Sequence, residues 1–162
     1  MLKWLDSQGK ENKLDDMPRI KELREQGFYC SQILVLMGLE LQGKANPDLV
    51  RSMQSLAGGI GFSGNLCGAL TGAACLLGLY AGKGKPEEEE DERLNLMLLD
   101  LVDWFKLTIG NRYNGINCDV ILEGKKINIP ERCPGIVQAA YQKAKELLVD
   151  YGFELSGNPD AD

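Results

Sequence analysis

The chain has 162 residues, enough for one domain with a core of its own. Its hydrophobic fraction of 44% and charged fraction of 26% are ordinary for a soluble globular protein. The net charge of -6 argues against general binding to nucleic acid or to an anionic membrane surface, because both need a basic face. The polar N-terminal sequence lacks the apolar core of a signal peptide, so we expect the protein to be cytoplasmic. Lasting disulfides are rare in the cytoplasm.

Histidine is absent from the sequence, and its absence excludes several kinds of site. There is no Ser-His-Asp triad, no Cys-His nucleophile pair and no C-x-x-C-H motif for haem attachment. A soft metal must therefore be bound by cysteine, with carboxylates as the other ligand type. The five cysteines are widely spaced and form no C-x-x-C motif. Nothing in the sequence marks an acid–base pair, so the sequence assigns no enzymatic reaction.

The first part of the chain predicts an arm followed by helices. Residues 1–16 are mostly polar and predict a loosely attached N-terminal arm. Pro18 favours the start of a first helix, which Gly27 would end. Residues 28–41 are nearly all apolar and predict a buried second helix, although their β-branched and aromatic residues would also suit a strand. Asn46, followed by a proline, predicts the cap of a short third helix.

The stretch 52–82 contains no charged residue and is the centre of the chain. Residues 58–64 are rich in glycine, and the small apolar residues of 65–81 predict a central helix that begins near Cys67. The stretch is long enough to cross a membrane, since a span needs ~20 apolar residues. Its many glycines and the amphipathic helices around it favour a buried central helix instead.

The second half of the chain also predicts helices. The acidic run 87–92 is typical of the first turn of a helix, where negative charge favours the dipole. Cys118 predicts the start of a short helix, and Cys133-Pro134 that of a long amphipathic last helix ending at Gly152. No segment alternates at period 2 for long enough to form a sheet. We therefore predict an all-α, single-domain helical bundle over residues 17–155, around the buried Gly/Ala-rich central helix, with a polar tail at 156–162.

The glycine-rich segment matches the pattern G-x-G-x-x-G between Gly59 and Gly64. A dinucleotide site would need a strand before this motif, but the preceding residues predict a helix, and no G-K-[ST] ending is present. We therefore expect no bound nucleotide. The glycines Gly58, Gly59, Gly61 and Gly64 are predicted instead to allow unusual backbone angles and to line a site beside Cys67.

Four cysteines share a position at or near a predicted helix start: Cys30, Cys67, Cys118 and Cys133. A helix start carries unpaired N–H groups and a partial charge of roughly +0.5, which would stabilise a thiolate or an anionic cluster bound by cysteine. We accordingly expect the pKa of the Cys67 thiol to lie below its usual ~8.5. Cys75 follows Cys67 by ~12 Å along the helix axis and is expected to be an inert core cysteine. Spacing alone leaves open that the four are separate core cysteines, because buried cysteines are common.

The segment from Gly58 to Ala73 resembles the signature of the C_GCAxxG_C_C family of redox-active proteins, which has four characteristic cysteines and a CGAxxG motif. That motif is Cys67-Gly68-Ala69-Leu70-Thr71-Gly72 here. The family's upstream cysteine matches Cys30, and its two downstream cysteines match Cys118 and Cys133. The resemblance implies a redox site formed by these four residues. A similar domain in split-Soret cytochromes is associated with an iron–sulfur centre; the haem part of that comparison does not apply to a chain without histidine.

The leading hypothesis is an iron–sulfur cluster held by the four cysteines for electron transfer or redox sensing. One alternative is metal-free thiol–disulfide exchange with Cys67 as the catalytic nucleophile. Another is a structural Cys₄ zinc site. We expect no haem, no nucleic acid and no membrane insertion. A redox partner protein of unknown identity is expected, and a homo-oligomer is left open.

Overall fold

The structure, a computed structural model, describes residues 15–157 and the backbone of four residues near the N-terminus. Those four form two short antiparallel strands, β1 (Trp4–Leu5) and β2 (Glu11–Asn12). The rest of the predicted arm up to residue 14, and residues 158–162 of the predicted tail, lie outside the described residues.

The described domain is all-α, as predicted. Its helices are α1 Met17–Glu25, α2 Cys30–Leu41, α3 Pro47–Met53, α4 Gly68–Ala81, α5 Arg93–Phe105, α6 Asn111–Tyr113, α7 Cys118–Leu122 and α8 Ile129–Asp150. Short 3₁₀ turns follow α3 (Gln54–Leu56) and precede α8 (Lys126–Asn128), and a π-helical turn, Lys106–Gly110, joins α5 to α6.

Helix α4 is the central helix and packs against α2, α5 and α8. Its Ala73, Leu76 and Leu77 have no exposed surface. The small residues of α4 let neighbouring helices come close: a Cβ on Gly72 would lie 2.9 Å from Cβ of Leu34 and 3.0 Å from Cα of Ser31. The Gly/Ala content of this helix therefore serves close helix packing inside the bundle.

No helix in the described part of the chain is long and apolar enough to span a membrane.

Several predicted helix ends are confirmed. The Asn46 side chain accepts the Leu49 N–H at 3.1 Å and so caps α3. Helix α1 ends just before Gly27, whose φ of +93° is the left-handed conformation common after a helix.

Two predicted helix starts are wrong. Helix α5 begins at Arg93, after the acidic run, where the Asp91 carboxylate accepts the Arg93 N–H at 3.0 Å and so satisfies a free N–H of the first turn. Helix α8 begins at Ile129, four residues before Cys133, because Pro130 occupies the early helix position that favours proline. Cys133 therefore lies inside α8 and not at its start.

Candidate functional site

Four cysteines from four helical segments meet at one small cavity of about 20 Å³. They are Cys30, Cys67, Cys118 and Cys133, and we call this group the four-cysteine site. The other lining residues are Gly68, Ala69, Ile121, Leu122, Ile136 and Val137. The cavity has room for about one water. Its walls offer no polar group other than the backbone and the thiols. The four cysteines thus line one otherwise apolar space.

Backbone pairing joins Cys67 to Cys118. The Cys67 N–H donates to the Ile116 carbonyl at 3.0 Å, and the Cys118 N–H donates to the Asn65 carbonyl at 2.7 Å. The Asp119 N–H donates to the Gly64 carbonyl at 3.2 Å. These bonds form a short antiparallel bridge between the segments that enter α4 and α7, and they place both cysteines at the same point.

Cys30 reaches the site because Gly68 has no side chain. A Cβ on Gly68 would lie 2.5 Å from the Cys30 sulfur, far closer than a van der Waals contact. The start of α2 is fixed by its own polar side chains. The Gln32 side chain accepts the Tyr29 N–H at 3.1 Å, and the Ser31 hydroxyl donates to the Met53 carbonyl at 2.7 Å.

Cys133 is positioned by the neighbouring residue of α8. The Arg132 guanidinium donates to the Ile121 carbonyl at 2.6 Å and to the Glu123 carboxylate at 2.7 Å. Both partners lie at the C-terminal end of α7, so these bonds hold the first turns of α8 against the short helix that begins with Cys118.

Cys75 does not line the four-cysteine site. It is half-buried and packs against a separate small core cluster of Val35, Leu39, Val50 and Met53. Cys67 and Cys75 are eight positions apart, and the turn of the helix over that distance places their side chains in different surroundings.

The glycine-rich segment forms a left-handed turn. Five consecutive residues, 58–62, have φ between +58° and +70°. Two of them are not glycine: Ile60, with φ +69°, and Phe62, with φ +61°. A β-branched residue in this region is strained, and runs of left-handed residues are rare. This segment leads directly into the four-cysteine site. Strained backbone conformations are often found at functional sites.

The four glycines predicted to line the site have different roles. Gly58 lines a cavity beside the site, and its backbone N–H acts to lower the pKa of the Cys30 thiol, which burial raises. Gly59 packs against the Asn65 backbone, and Gly64 packs against the Asp119 side chain. Gly61 is exposed and has no close neighbour. Of these glycines only Gly58 faces the cysteines directly.

The pKa of the Cys67 thiol is raised to about 12, chiefly by burial and further by the nearby Cys30. The N–H groups of Ala69 and Leu70 lower this pKa by less than burial raises it. The predicted depression of the Cys67 pKa is therefore wrong, because the helix start acts on a residue that is only 8% exposed. Burial likewise raises the pKa of Cys133 to about 12. At neutral pH these thiols are protonated when no cation is bound.

A larger cavity of about 240 Å³ adjoins the site, and we call it the outer chamber. It is lined by three of the four cysteines, namely Cys30, Cys118 and Cys133, and by Gly58. The aromatic rings of Phe28, Tyr29 and Phe62 and the side chain of Arg24 complete much of its wall. Tyr29 and Phe62 are partly exposed and meet edge to face, with ring centroids 5.2 Å apart. The four-cysteine site is thus closed on the Cys67 side and faces a chamber on the other.

Within residues 15–157 no three Cys, Asp or Glu side chains are arranged to hold a single metal ion. The donor set is nevertheless composed only of sulfur, which is the ligand type of iron–sulfur clusters and of Cys₄ zinc sites. The absence of a Cβ on Gly68 leaves the space that Cys30 occupies. By donor chemistry the four residues fit a cysteine-bound centre.

Sequence reasoning missed three contributors to the site. Cys30 packs against Gly68, and the sequence indicates this contact only through the position of Gly68 in the CGAxxG motif. Arg24 stands in an ordinary amphipathic helix, and no pattern separates it from other surface arginines. Phe62 belongs to the glycine-rich segment, and nothing in the sequence pattern marks its ring as part of a cavity wall.

The chain matches the family model described as "Putative redox-active protein (C_GCAxxG_C_C)" over residues 28–147. That range includes all four cysteines of the site and the whole of α4. No curated protein and no solved structure gives a significant match.

Proposed function

The chain belongs to the C_GCAxxG_C_C family of redox-active proteins, and we propose that its redox chemistry takes place at an iron–sulfur cluster bound by the four-cysteine site. One observation carries the proposal: Cys30, Cys67, Cys118 and Cys133, far apart in sequence, line the same cavity. Four converging cysteines without histidine form the donor set that holds [2Fe–2S] and [4Fe–4S] clusters. When bound, such a cluster supplies a one-electron couple for electron transfer or redox sensing.

The protein's own groups would stabilise negatively charged sulfur at this site. The backbone N–H groups of Gly58 and Ser31 act to lower the pKa of the Cys30 thiol, and those of Ala69 and Leu70 act to lower that of Cys67, although burial outweighs them in both cases. Hydrogen bonds to ligating sulfurs raise the reduction potential of a cluster, because the reduced state carries the additional negative charge.

Raised thiol pKa values argue against simple thiol–disulfide exchange. A nucleophilic cysteine needs thiolate at working pH and access to its substrate. Cys67 is buried, and its pKa of about 12 leaves almost no thiolate at neutral pH. A bound cation reverses this situation, because it displaces the thiol protons as it binds. Thiols with raised pKa values that line one cavity therefore favour a bound metal centre over a free nucleophile.

The test is anaerobic purification of the full chain, followed by metal and acid-labile sulfide analysis and by electron paramagnetic resonance. Reconstitution with iron and sulfide is included for protein isolated without metal. We expect iron and labile sulfide in equal amounts, visible absorption that bleaches on reduction, and a paramagnetic signal in one redox state.

Two results would overturn the proposal in favour of a named alternative. One equivalent of zinc, with no iron retained after reconstitution, would indicate a structural zinc site. A metal-free protein that loses two titratable thiols on mild oxidation would indicate disulfide exchange.

A further inference from the structure

The outer chamber combines one positive charge with aromatic walls. Arg24 lies in the last turn of α1, and Phe28, Tyr29 and Phe62 supply the rings. At about 240 Å³ the chamber is far larger than the ~10–15 Å³ that one water needs, and close to the ~300 Å³ of small ligand pockets. Apolar walls with one placed charged group are the usual composition of a pocket for an organic ligand.

Arg24 differs from most other arginines of the domain. Arg19, Arg51, Arg93 and Arg132 each pair with a carboxylate. Within residues 15–157 no carboxylate lies at ion-pair distance from Arg24. The described residues that line the chamber also include no Asp or Glu, although the chain as a whole has a net charge of -6. The charge of Arg24 therefore has no acidic partner on the chamber wall.

The position of Arg24 also suits the dipole of α1, since a cation near a helix C-terminus is favourable. That role would be met equally well by a side chain extended into water. Arg24 instead lines the chamber, close enough to Cys30 and Cys133 for its charge to act on both thiols. A guanidinium held at an apolar wall is the group that binds a carboxylate through two parallel hydrogen bonds.

We propose that the outer chamber binds a small organic anion, a carboxylate with a short apolar body, which pairs with Arg24 and packs on the rings of Phe28, Tyr29 and Phe62. The ligand would lie beside the exposed side of the four-cysteine site. This proposal concerns the chamber alone and does not depend on which group the cysteines bind.

The test uses the full chain, ¹⁵N-labelled, with its thiols reduced and without added metal, and benzoate as the probe. The amide signals of Gly27 and Gly58, both on the chamber wall, report binding. Acetate has the carboxylate without the aromatic ring, and benzyl alcohol has the ring without the charge. We expect saturable shifts of both signals with benzoate, and at least tenfold weaker binding of acetate and of benzyl alcohol.

Variants separate Arg24 from other positive charges. Arg24→Gln should weaken benzoate binding at least tenfold, while Arg24→Lys should retain part of it. Arg51→Gln is the matched control, because Arg51 is an exposed arginine that lines a different groove, between α2 and α3. This variant should bind benzoate as the wild type does.

The proposal is overturned if benzoate causes no saturable shift, if benzyl alcohol or acetate binds as tightly, or if Arg24→Gln has no effect. Should Arg24→Gln fail to fold, the comparison of the three probes on the wild type still decides. A repeat on iron-loaded protein keeps the two proposals apart, since iron binding and benzoate binding can each succeed or fail alone.

Discussion

Cys67 and Cys75 lie on the same helix segment, eight residues apart, in different surroundings. Cys67 caps α4, lines the four-cysteine site and is 8% exposed. Cys75 lies in the middle of α4 and packs against a small core cluster on another face. Both residues are cysteines, so residue type does not decide which of them joins the site. Position on the helix and the backbone pairing at the helix start decide it.

The largest expected effect separates these two residues directly. Cys67→Ser should lose essentially all iron bound after reconstitution, because serine removes the soft sulfur ligand, while its hydroxyl is well suited to an N-cap position. Cys75→Ser should bind as much iron as the wild type. Iron analysis is paired with circular dichroism, which should show both variants folded. Equal iron in the two variants would mean that the site does not use Cys67.

A second comparison concerns two glycines of the same helix. Gly68→Ala should destabilise the protein by about 1–3 kcal/mol and reduce iron binding, because its Cβ would overlap the Cys30 sulfur. Gly78→Ala is the control, since a Cβ there meets nothing within 4 Å. It should stabilise α4 by about 0.5–1 kcal/mol. Urea denaturation measures both; a neutral Gly68→Ala would contradict the close approach of Cys30 to α4.

The helical architecture was predictable because its signals are local. Asn46 before a proline, Gly27 after an apolar face, and the small residues of α4 each specify a backbone choice within a few residues. The starts of α2, α4 and α7 at or beside cysteines were predicted for the same reason.

The errors arose where long-range packing outweighed a local signal. The pKa of Cys67 is set by burial under α2 and α8, which outweighs the favourable N–H groups of its own helix start. Cys133-Pro134 predicts a helix start because proline suits the first turn, but Pro130 has that role in the structure and Pro134 lies inside α8. The left-handed conformation of Ile60 and Phe62 had no local signal, since neither residue favours it.

The raised pKa of the site thiols predicts a pH dependence of stability in the reduced, metal-free protein. Unfolding lets the Cys67 thiol ionise near pH 8.5, whereas in the folded protein its pKa is about 12. The folded state holds the proton more tightly, so the thiol's contribution is full below pH 8.5 and is lost as the pH rises toward 12. Between pH 8.5 and 9.5 we expect the free energy of unfolding to fall by ~1 kcal/mol for each such thiol.

Urea denaturation across that range measures the slope. Cys67→Ser should show a shallower fall than the wild type, because the buried thiol has been removed. A wild-type stability that is flat or rising over this range would contradict protonated, buried thiols.

The smallest expected effect tests the strained turn that leads to Cys67 and has no counterpart before Cys75. Ile60→Gly should stabilise the protein by up to about 1 kcal/mol, because glycine adopts positive φ without the cost that Ile60 bears. Little packing is lost, since Ile60 is 58% exposed. Gly61→Ala, at φ +58° with open space around it, should destabilise by about 1 kcal/mol. Thermal and urea denaturation measure the two changes in stability, which should have opposite signs. Changes of the same sign would contradict a left-handed turn.

The central claim is that Cys30, Cys67, Cys118 and Cys133 form one site that excludes Cys75. Anaerobic alkylation of the native protein before and after loading with iron and sulfide, followed by peptide mass spectrometry, tests it at every cysteine at once. We predict that loading slows the alkylation of those four cysteines together and leaves the rate at Cys75 unchanged. Protection of Cys75, or unchanged rates at Cys118 and Cys133, would contradict the account.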